Sequence, residues 1–144
     1  MWPTFKTKYV DTGRVHYVFR EFLTPPIELA SAAFLTARCA GKDKYFSVVD
    51  AVFRAQPVMY STGDIRGELL RIANSAGLSE EQFTQCIRDE DALKALNERV
   101  ERAIEKDKVS GTPTFIVNGK TVASGEMTLA QLDAAIAEAE AAAK

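Results

Sequence analysis

Residues 111–120 constrain the fold of this chain more than any other stretch. Thr114–Val117 consists of β-branched and aromatic residues, which suit a half-buried strand. Asn118 and Gly119 follow, and this pair is a strong hairpin signal because a type I′ turn requires positive φ at both central positions. Residues 120–123 are the expected returning strand, and residues 128–131 have the capping-box pattern of a helix start. The sequence here predicts strand, hairpin, strand and helix.

Composition and charge narrow the class of protein. The chain has 144 residues, of which 47% are hydrophobic, and this is enough for one ordinary globular domain with its own core. The formal net charge of −2 gives no electrostatic basis for binding nucleic acid or an acidic membrane. No apolar run approaches the roughly 18 residues that a transmembrane helix requires. Residues 1–6 lack the apolar segment and cleavage site of a secretory signal peptide.

The rest of the chain is predominantly helical in pattern. Apolar residues at three- and four-residue spacing predict the end of a helix over residues 3–10, and alternation predicts a strand over residues 14–22. The helices expected after that strand cover residues 24–41, residues 45–56 (ending before Pro57), residues 65–76, a short segment after the capping box at 79–82, residues 91–106, and an alanine-rich tail from 128 to 143.

Helical and strand spacing also predicts which side chains are buried. The aromatic residues expected in the core are Tyr17, Phe19, Phe34, Phe46 and Phe53. Leu93, Leu96, Val100 and Ile104 are expected to face inward from the helix over residues 91–106. His16, the single histidine, lies on the polar side of the alternating segment and is expected at the surface or at a sheet edge rather than in a catalytic role.

Four stretches together resemble the DsbA family, in which a helical domain is inserted into a thioredoxin domain. They are residues 8–22 (the passage from helix to strand after the active site), residues 29–46 (the start of the helical insert), residues 111–115 (the cis-proline loop) and residues 118–120 (the hairpin behind it). The resemblance implies an α/β, thioredoxin-like fold with a large α-helical insertion. Residues 1–23 and 108–144 would form the thioredoxin-like portion, and residues 24–107 the inserted domain.

The chain departs from that family where catalysis resides. The family uses a Cys-x-x-Cys pair at the start of its first helix, and residues 1–13 contain no cysteine. We therefore expect no catalytic residue in this chain and the absence of the first central strand. Three outcomes follow for residues 14–22 and Thr114–Val117. They close onto each other, a partner chain supplies a strand, or the true start codon lies upstream, which is the account we favour for the gene.

Thr112 and Pro113 are the candidate peptide-binding residues. The resemblance implies a cis proline, with the backbone of Thr112 offered as a strand edge to an extended peptide. Without the resemblance, a trans proline opening an edge strand is the ordinary expectation. Because no cysteine pair faces this loop, it would hold a substrate without oxidising it.

Cys39 and Cys86 form neither a CxxC motif nor a metal cluster, since a zinc site requires about four ligands. For an exported protein of the family, a structural disulfide between them is the favoured interpretation. Two buried thiols remain the alternative, and a catalytic pair is the least favoured because Arg38 is the only nearby charge that would stabilise a thiolate. No metal and no cofactor is predicted.

The resemblance implies thiol–disulfide exchange in an oxidising compartment, periplasmic or secreted. The expected partners are extended or unfolded proteins with reduced cysteines, a reoxidising redox partner for the complete protein, and a second copy through strand exchange. As given, the chain is expected to be inactive as an oxidoreductase. The main alternative is a non-catalytic peptide-binding module. A kappa-class glutathione transferase activity would need its own activating residue at the same missing helix start.

Overall fold

The computed structural model describes all 144 residues of the chain. Its regular structure consists of seven α-helices and two β-strands, with a π-helical turn, Lys6–Val10, directly after the first helix. In chain order the elements are α1 (Trp2–Phe5), α2 (Ile27–Cys39), α3 (Tyr45–Thr62), α4 (Ile65–Ser75), α5 (Glu80–Arg88), α6 (Glu90–Glu105), β1 (Thr114–Val117), β2 (Lys120–Ser124) and α7 (Leu129–Ala142).

The chain forms two compact units. One, called the hairpin unit below, consists of Met1–Phe22 and Arg102–Lys144 and contains α1, both strands and α7. The other, called the helical unit, consists of Leu23–Glu101 and contains α2 to α5 and most of α6.

Helix α2 contacts α3, α4 and α5, and α4 likewise contacts α2, α3 and α5. Burying one large apolar side chain stabilises a fold by about 1.5–3 kcal/mol, so the buried faces of these helices hold the unit together. The buried apolar residues of this unit are Leu29, Ala33, Phe34, Leu35, Ala37, Val48, Val49, Val52, Ala55, Met59, Leu69, Ile72, Ala73, Phe83, Leu96 and Val100.

Helix α3 does not end before Pro57, as the sequence predicted, but continues to Thr62. A proline inside a helix removes one hydrogen bond to the carbonyl four residues earlier, here that of Phe53. Phe53 lies on the solvent-facing side of the helix and is 55% exposed. Met59 is fully buried and fixes the turn that follows the proline. Gly63, with φ of 75°, then ends the helix in the left-handed conformation that favours glycine.

The predicted burial of Phe46 and Phe53 is wrong, because these side chains are 50% and 55% exposed. The longer helix places a different stripe against its neighbours, with Val48, Val52 and Met59 buried at four- and seven-residue spacing. In α6, two of the four residues predicted to face inward are also exposed. Leu96 and Val100 are buried as predicted, whereas Leu93 and Ile104 are exposed.

A disulfide joins Cys39, the last residue of α2, to Cys86 in the last turn of α5. The two Cα atoms are 6.2 Å apart, within the ordinary range for a disulfide, and the two helices also pack against each other. The bond spans a sequence separation of 47 and therefore closes a long loop that includes α3 and α4.

The hairpin unit contains the predicted hairpin. β1 and β2 are antiparallel, with Thr114 opposite Ser124 and Val117 opposite Lys120. The turn residues Asn118 and Gly119 have φ values of 48° and 78°, so both are positive, as the predicted turn requires. The predicted capping box at the start of α7 is also present, since Thr128 and Gln131 satisfy each other's backbone N–H groups.

The core of the hairpin unit joins the first residues of the chain to the last helix. Phe5 and Tyr9 pack with Leu132 and Ile136 of α7 in one buried cluster. Partly buried residues surround this cluster: Val10, Val15, Tyr17, Phe115, Met127 and Leu129. The alanine-rich helix α7 thus contributes a specific apolar face as well as helix propensity.

Residues 14–22 are not a strand, contrary to the prediction. The sheet contains β1 and β2 alone, and residues 15–24 carry no regular secondary structure. Burial still alternates from residue 15 to residue 20, with the odd-numbered side chains partly buried and the even-numbered ones exposed. The pattern correctly indicates one inward face, but a strand also requires a hydrogen-bonded neighbour. Closure of this segment onto Thr114–Val117, one of the three outcomes considered from the sequence, is therefore not observed.

A polar network ties α7 to the start of the chain. The Tyr9 hydroxyl donates to Oδ1 of Asp133 at 2.5 Å, and Nζ of Lys8 donates to Oδ2 at 2.9 Å. Arg14 donates to the two carboxylate oxygens of Glu140 at 3.1 and 2.8 Å. The hydrogen bonds from Tyr9 and then Lys8 lower the pKa of Asp133, and the bond to Asp133 raises the pKa of Tyr9.

Replacing Phe83 with alanine is expected to lower the free energy of unfolding by about 3–5 kcal/mol, because a fully buried aromatic side chain is lost and a cavity remains. The measurement is urea denaturation followed by circular dichroism. Phe53→Ala is the matched control, since the same atoms are removed from an exposed site, and its effect is expected within about 0.5 kcal/mol. Equal losses in the two variants would contradict the assignment of the core.

The variant Cys39→Ala/Cys86→Ala is expected to lose about 4 kcal/mol of stability relative to the oxidised protein, because the unfolded chain is released from a long closed loop. Urea denaturation with and without dithiothreitol measures the effect. The reductant should bring the wild-type protein to the level of the variant and leave the variant unchanged. A wild-type midpoint that does not respond to complete reduction would refute this account.

Asp133→Asn is expected to destabilise the protein at neutral pH and to do so progressively less in acid. The pKa of Asp133 is lowered on folding, so its stabilisation is complete above the unfolded value of about 3.9 and is lost as the pH falls through the folded value. The difference in unfolding free energy between wild type and variant should therefore shrink below about pH 4. Urea denaturation at a series of pH values measures it.

Asp50→Asn provides the control for this pH series. Asp50 pairs with Arg54 at 2.8 Å on an exposed face of α3, where water and salt screen the interaction. We expect little change at any pH from this substitution. If the two asparagine variants behaved alike, the network around Asp133 would carry no special stabilisation.

Candidate peptide-binding loop

Thr112 and Pro113, the predicted peptide-binding residues, lie between α6 and β1. Both residues are exposed. The peptide bond between them is cis, the geometry that the resemblance implies. No backbone hydrogen bond within the chain involves Thr112, so its N–H and C=O groups are available to a ligand.

Two hydrogen bonds bracket this loop. The hydroxyl of Thr114 donates to the carbonyl of Gly111 at 2.7 Å, in a partly buried position. On the other side, the N–H of Gly125 donates to the carbonyl of Pro113 at 2.8 Å and ties the loop to the end of β2. The segment from Gly111 to Thr114 is thus fixed at both ends by groups from its own unit.

One edge of β1 is open. The N–H of Gly125 bonds to the carbonyl of Pro113, and the next residues opposite each other are Thr114 and Ser124. In an antiparallel ladder, the main-chain groups of a residue in such a non-hydrogen-bonded pair point away from the partner strand. Thr114 therefore directs its N–H and C=O toward the edge that β2 does not cover. An exposed edge of this kind can accept an extended segment of another chain.

The described residues supply no sulfur nucleophile. Cys39 and Cys86 are the only cysteines, and both are in the disulfide of the helical unit. No group of three or more histidine, cysteine or carboxylate side chains is placed to hold a metal ion. His16 is exposed and lies in the extended segment after the N-terminal helix. The described residues therefore contain one bonded pair of sulfurs and no free thiol.

The titratable groups with shifted pKa values do not form an acid–base pair. Five of these groups belong to the network between α7 and the N-terminal residues, and hydrogen bonding within it shifts their pKa values. They are Asp133, Tyr9, Lys8, Arg14 and Glu140. Burial raises the pKa of Tyr17, whose ring packs on Trp2. We assign these groups to the stability of the hairpin unit.

Sequence reasoning missed the hydroxyl of Thr114, which was counted only as part of a strand. A threonine three residues after a loop glycine is a recognisable signal, because short hydroxyl side chains bond nearby carbonyls. The sequence analysis also missed Asp133 and Glu140, because it considered only the helix propensity of the alanine-rich tail.

None of the helices combines the length and the hydrophobicity needed to span a lipid bilayer.

Two bacterial proteins match most of this chain in sequence. A Rickettsia typhi protein is 31% identical over 120 residues, which are 83% of this chain and 44% of that protein. A Rickettsia conorii protein is 29% identical over 140 residues, which are 96% of this chain and 49% of that protein. Both names provisionally describe protein-disulfide oxidoreductases. The chain spans about half the length of these relatives.

Solved structures show the same fold. The crystal structure of Wolbachia pipientis alpha-DsbA1 matches with a TM-score of 0.82 and 26% identity, covering 99% of this chain and 79% of that one. A protein-disulfide isomerase from Novosphingobium aromaticivorans matches with a TM-score of 0.73 at 19% identity, covering 95% of this chain and 80% of that one, and supports the fold alone. These matches confirm the predicted α/β, thioredoxin-like class with its DsbA-like block of helices. The thioredoxin family model covers residues 3–138, and the chain therefore belongs to the thioredoxin family.

Proposed function

We propose that this chain is the peptide-holding part of a DsbA-like thiol:disulfide oxidoreductase. The observation that carries the proposal is the loop at Thr112 and Pro113, whose exposed backbone adjoins the open edge of β1. An extended substrate chain would bind there through main-chain hydrogen bonds, which favour unfolded proteins over folded ones. The names of the relatives in Rickettsia support the same reaction class.

The proposed chemistry is oxidation of two substrate thiols to a disulfide. A substrate thiolate attacks the disulfide of a Cys-x-x-Cys pair, and one sulfur of that pair leaves as a thiolate. The second substrate thiolate then attacks the mixed disulfide, so that the substrate gains its disulfide and the enzyme pair receives two electrons. Residues 1–144 contain no Cys-x-x-Cys, so that pair must come from outside them. A reoxidising redox partner would take up the two electrons.

The proposed domain organisation is that of a thioredoxin-like protein with an inserted helical domain. We propose that residues 1–23 and 108–144 form the thioredoxin-like portion and that residues 24–107 form an inserted helical domain. The disulfide between Cys39 and Cys86 supports an oxidising compartment, periplasmic or extracellular, because such bonds persist there and are rare in the cytosol. We assign this disulfide a structural role, since it joins two packed helices.

Strand addition at β1 is the second part of the proposal. Residues 15–20 have one inward-facing side, and Val15 and Tyr17 pack against the buried cluster of the hairpin unit. Phe115 of β1 packs against the same cluster. No strand pairing joins residues 14–22 to β1. A strand from the complete protein, or one from a second copy, would satisfy the open backbone groups of Thr114–Val117 in β1 and leave those of Thr112 to the substrate. Strand exchange between two copies predicts a dimer whose proportion rises with protein concentration.

A non-catalytic binding module is the second candidate function. The observation that favours it is the absence of a free thiol, combined with a loop whose backbone is unpaired. This candidate and the oxidoreductase share the peptide-binding step. They differ only in the exchange step, and an experiment on the chain alone tests the peptide-binding step that both share.

The chain alone is expected to bind reduced, carboxamidomethylated lactalbumin, a permanently unfolded protein, without accelerating disulfide formation in reduced ribonuclease. The physical reason is that the loop offers backbone groups while both cysteines are held in a structural bond. Fluorescence anisotropy measures binding, and recovery of ribonuclease activity measures oxidation.

The variant Cys39→Ala/Cys86→Ala is the control for both measurements. It should bind as the wild type does at a temperature where both are folded, because its loop is unchanged. Oxidation well above background by the wild type, abolished in this variant, would show that the pair is catalytic. Failure of the folded wild type to bind the unfolded protein would reject the peptide-holding role.

A further inference from the structure

The hydrogen bond from Thr114 to Gly111 restricts the backbone of the next residue, Thr112. The hydroxyl of Thr114 holds the carbonyl of Gly111 at 2.7 Å, so the plane of the peptide unit from Gly111 to Thr112 is fixed on one side. That peptide bond is trans, since the chain has cis bonds only before Pro26 and Pro113. In a planar trans peptide the C=O and N–H groups point in opposite directions.

The direction of the Thr112 N–H follows from this geometry. Because the carbonyl of Gly111 points toward the Thr114 side chain, the N–H of Thr112 points away from it. Thr112 is exposed, and its N–H has no acceptor within the chain. We infer that Thr114 is a positioning residue, whose hydroxyl aims the Thr112 N–H at the carbonyl of a bound extended peptide. This inference rests on the proposed peptide-holding function.

A hydroxyl is required at this position for a specific reason. Gly111 has no side chain to restrict its own rotation, so its carbonyl needs an external donor to stay in one orientation. The second bond of the loop, from the N–H of Gly125 to the carbonyl of Pro113, fixes the peptide plane from Pro113 to Thr114 and leaves the plane before Thr112 unrestrained. Thr114 is therefore the only side chain that fixes this plane by a hydrogen bond.

The test compares Thr114→Val with Thr114→Ser. Valine keeps the shape and β-branching of threonine but removes the donor, whereas serine keeps the donor and removes a methyl group. Binding of carboxamidomethylated lactalbumin is measured by fluorescence anisotropy for both variants and the wild type. We expect the valine variant to bind about five- to ten-fold more weakly, as the loss of one positioned hydrogen bond predicts, and the serine variant to bind as the wild type does.

A second measurement uses the wild type alone and does not depend on the folding of either variant. The amide resonance of Thr112 is followed by NMR during titration with the same unfolded protein. A downfield shift of this resonance on binding is expected, because a new acceptor meets the Thr112 N–H. A purely structural role for Thr114 would not require this shift.

The outcomes separate the two levels of the proposal. Wild-type binding with no shift at Thr112, or equal affinity of the folded valine variant, would overturn the positioning role and leave the peptide-holding function standing. Absence of binding by the folded wild type would overturn both. Weaker binding by valine, restored by serine, together with the Thr112 shift, would establish the positioning role.

Discussion

The open edge of β1 is the constraint on which the interpretation of this protein depends. A strand with one neighbour leaves alternate main-chain groups without a partner, and buried groups of this kind are costly unless water or another chain bonds them. In this chain β2 satisfies one edge of β1, and the turn at Asn118 and Gly119 fixes that register. Nothing in the same chain pairs with the other edge, so an extended partner is the arrangement that the backbone favours.

The two units are stabilised by different means. The helical unit buries many apolar side chains and has a disulfide between α2 and α5. The hairpin unit has a small buried cluster of four residues and a partly exposed polar network between α7 and the start of the chain. There, the bond from Tyr9 to Asp133 joins residues 124 positions apart in sequence and holds α7 to the start of the chain. This contact lets a short N-terminal helix pack without an adjoining sheet strand.

Local signals were predictable from the sequence, and the errors arose where the outcome depends on distant residues. The turn at Asn118 and Gly119 and the capping boxes depend on a few adjacent residues, and the structure contains them all. Residues 14–22 have the alternation of a strand but lack a neighbour, which no local pattern reveals. Helical spacing also predicts Phe46 and Phe53 in the core, but the face of α3 that is buried depends on the helices packed against it, and both side chains are exposed.

This chain contains the proposed peptide-binding loop but not the Cys-x-x-Cys pair that the proposed disulfide exchange requires. Holding an extended peptide depends on short-range bonds, from Thr114 to Gly111 and from Gly125 to Pro113, and all four residues are present. Transferring electrons requires a reactive pair of sulfurs, and the single pair in this chain is bonded within the helical unit. In the proposed function, the residues that would hold a peptide are therefore separate from the sulfur pair that would exchange disulfides. Because main-chain groups would provide the recognition, the proposed binding would not depend on the sequence of the substrate.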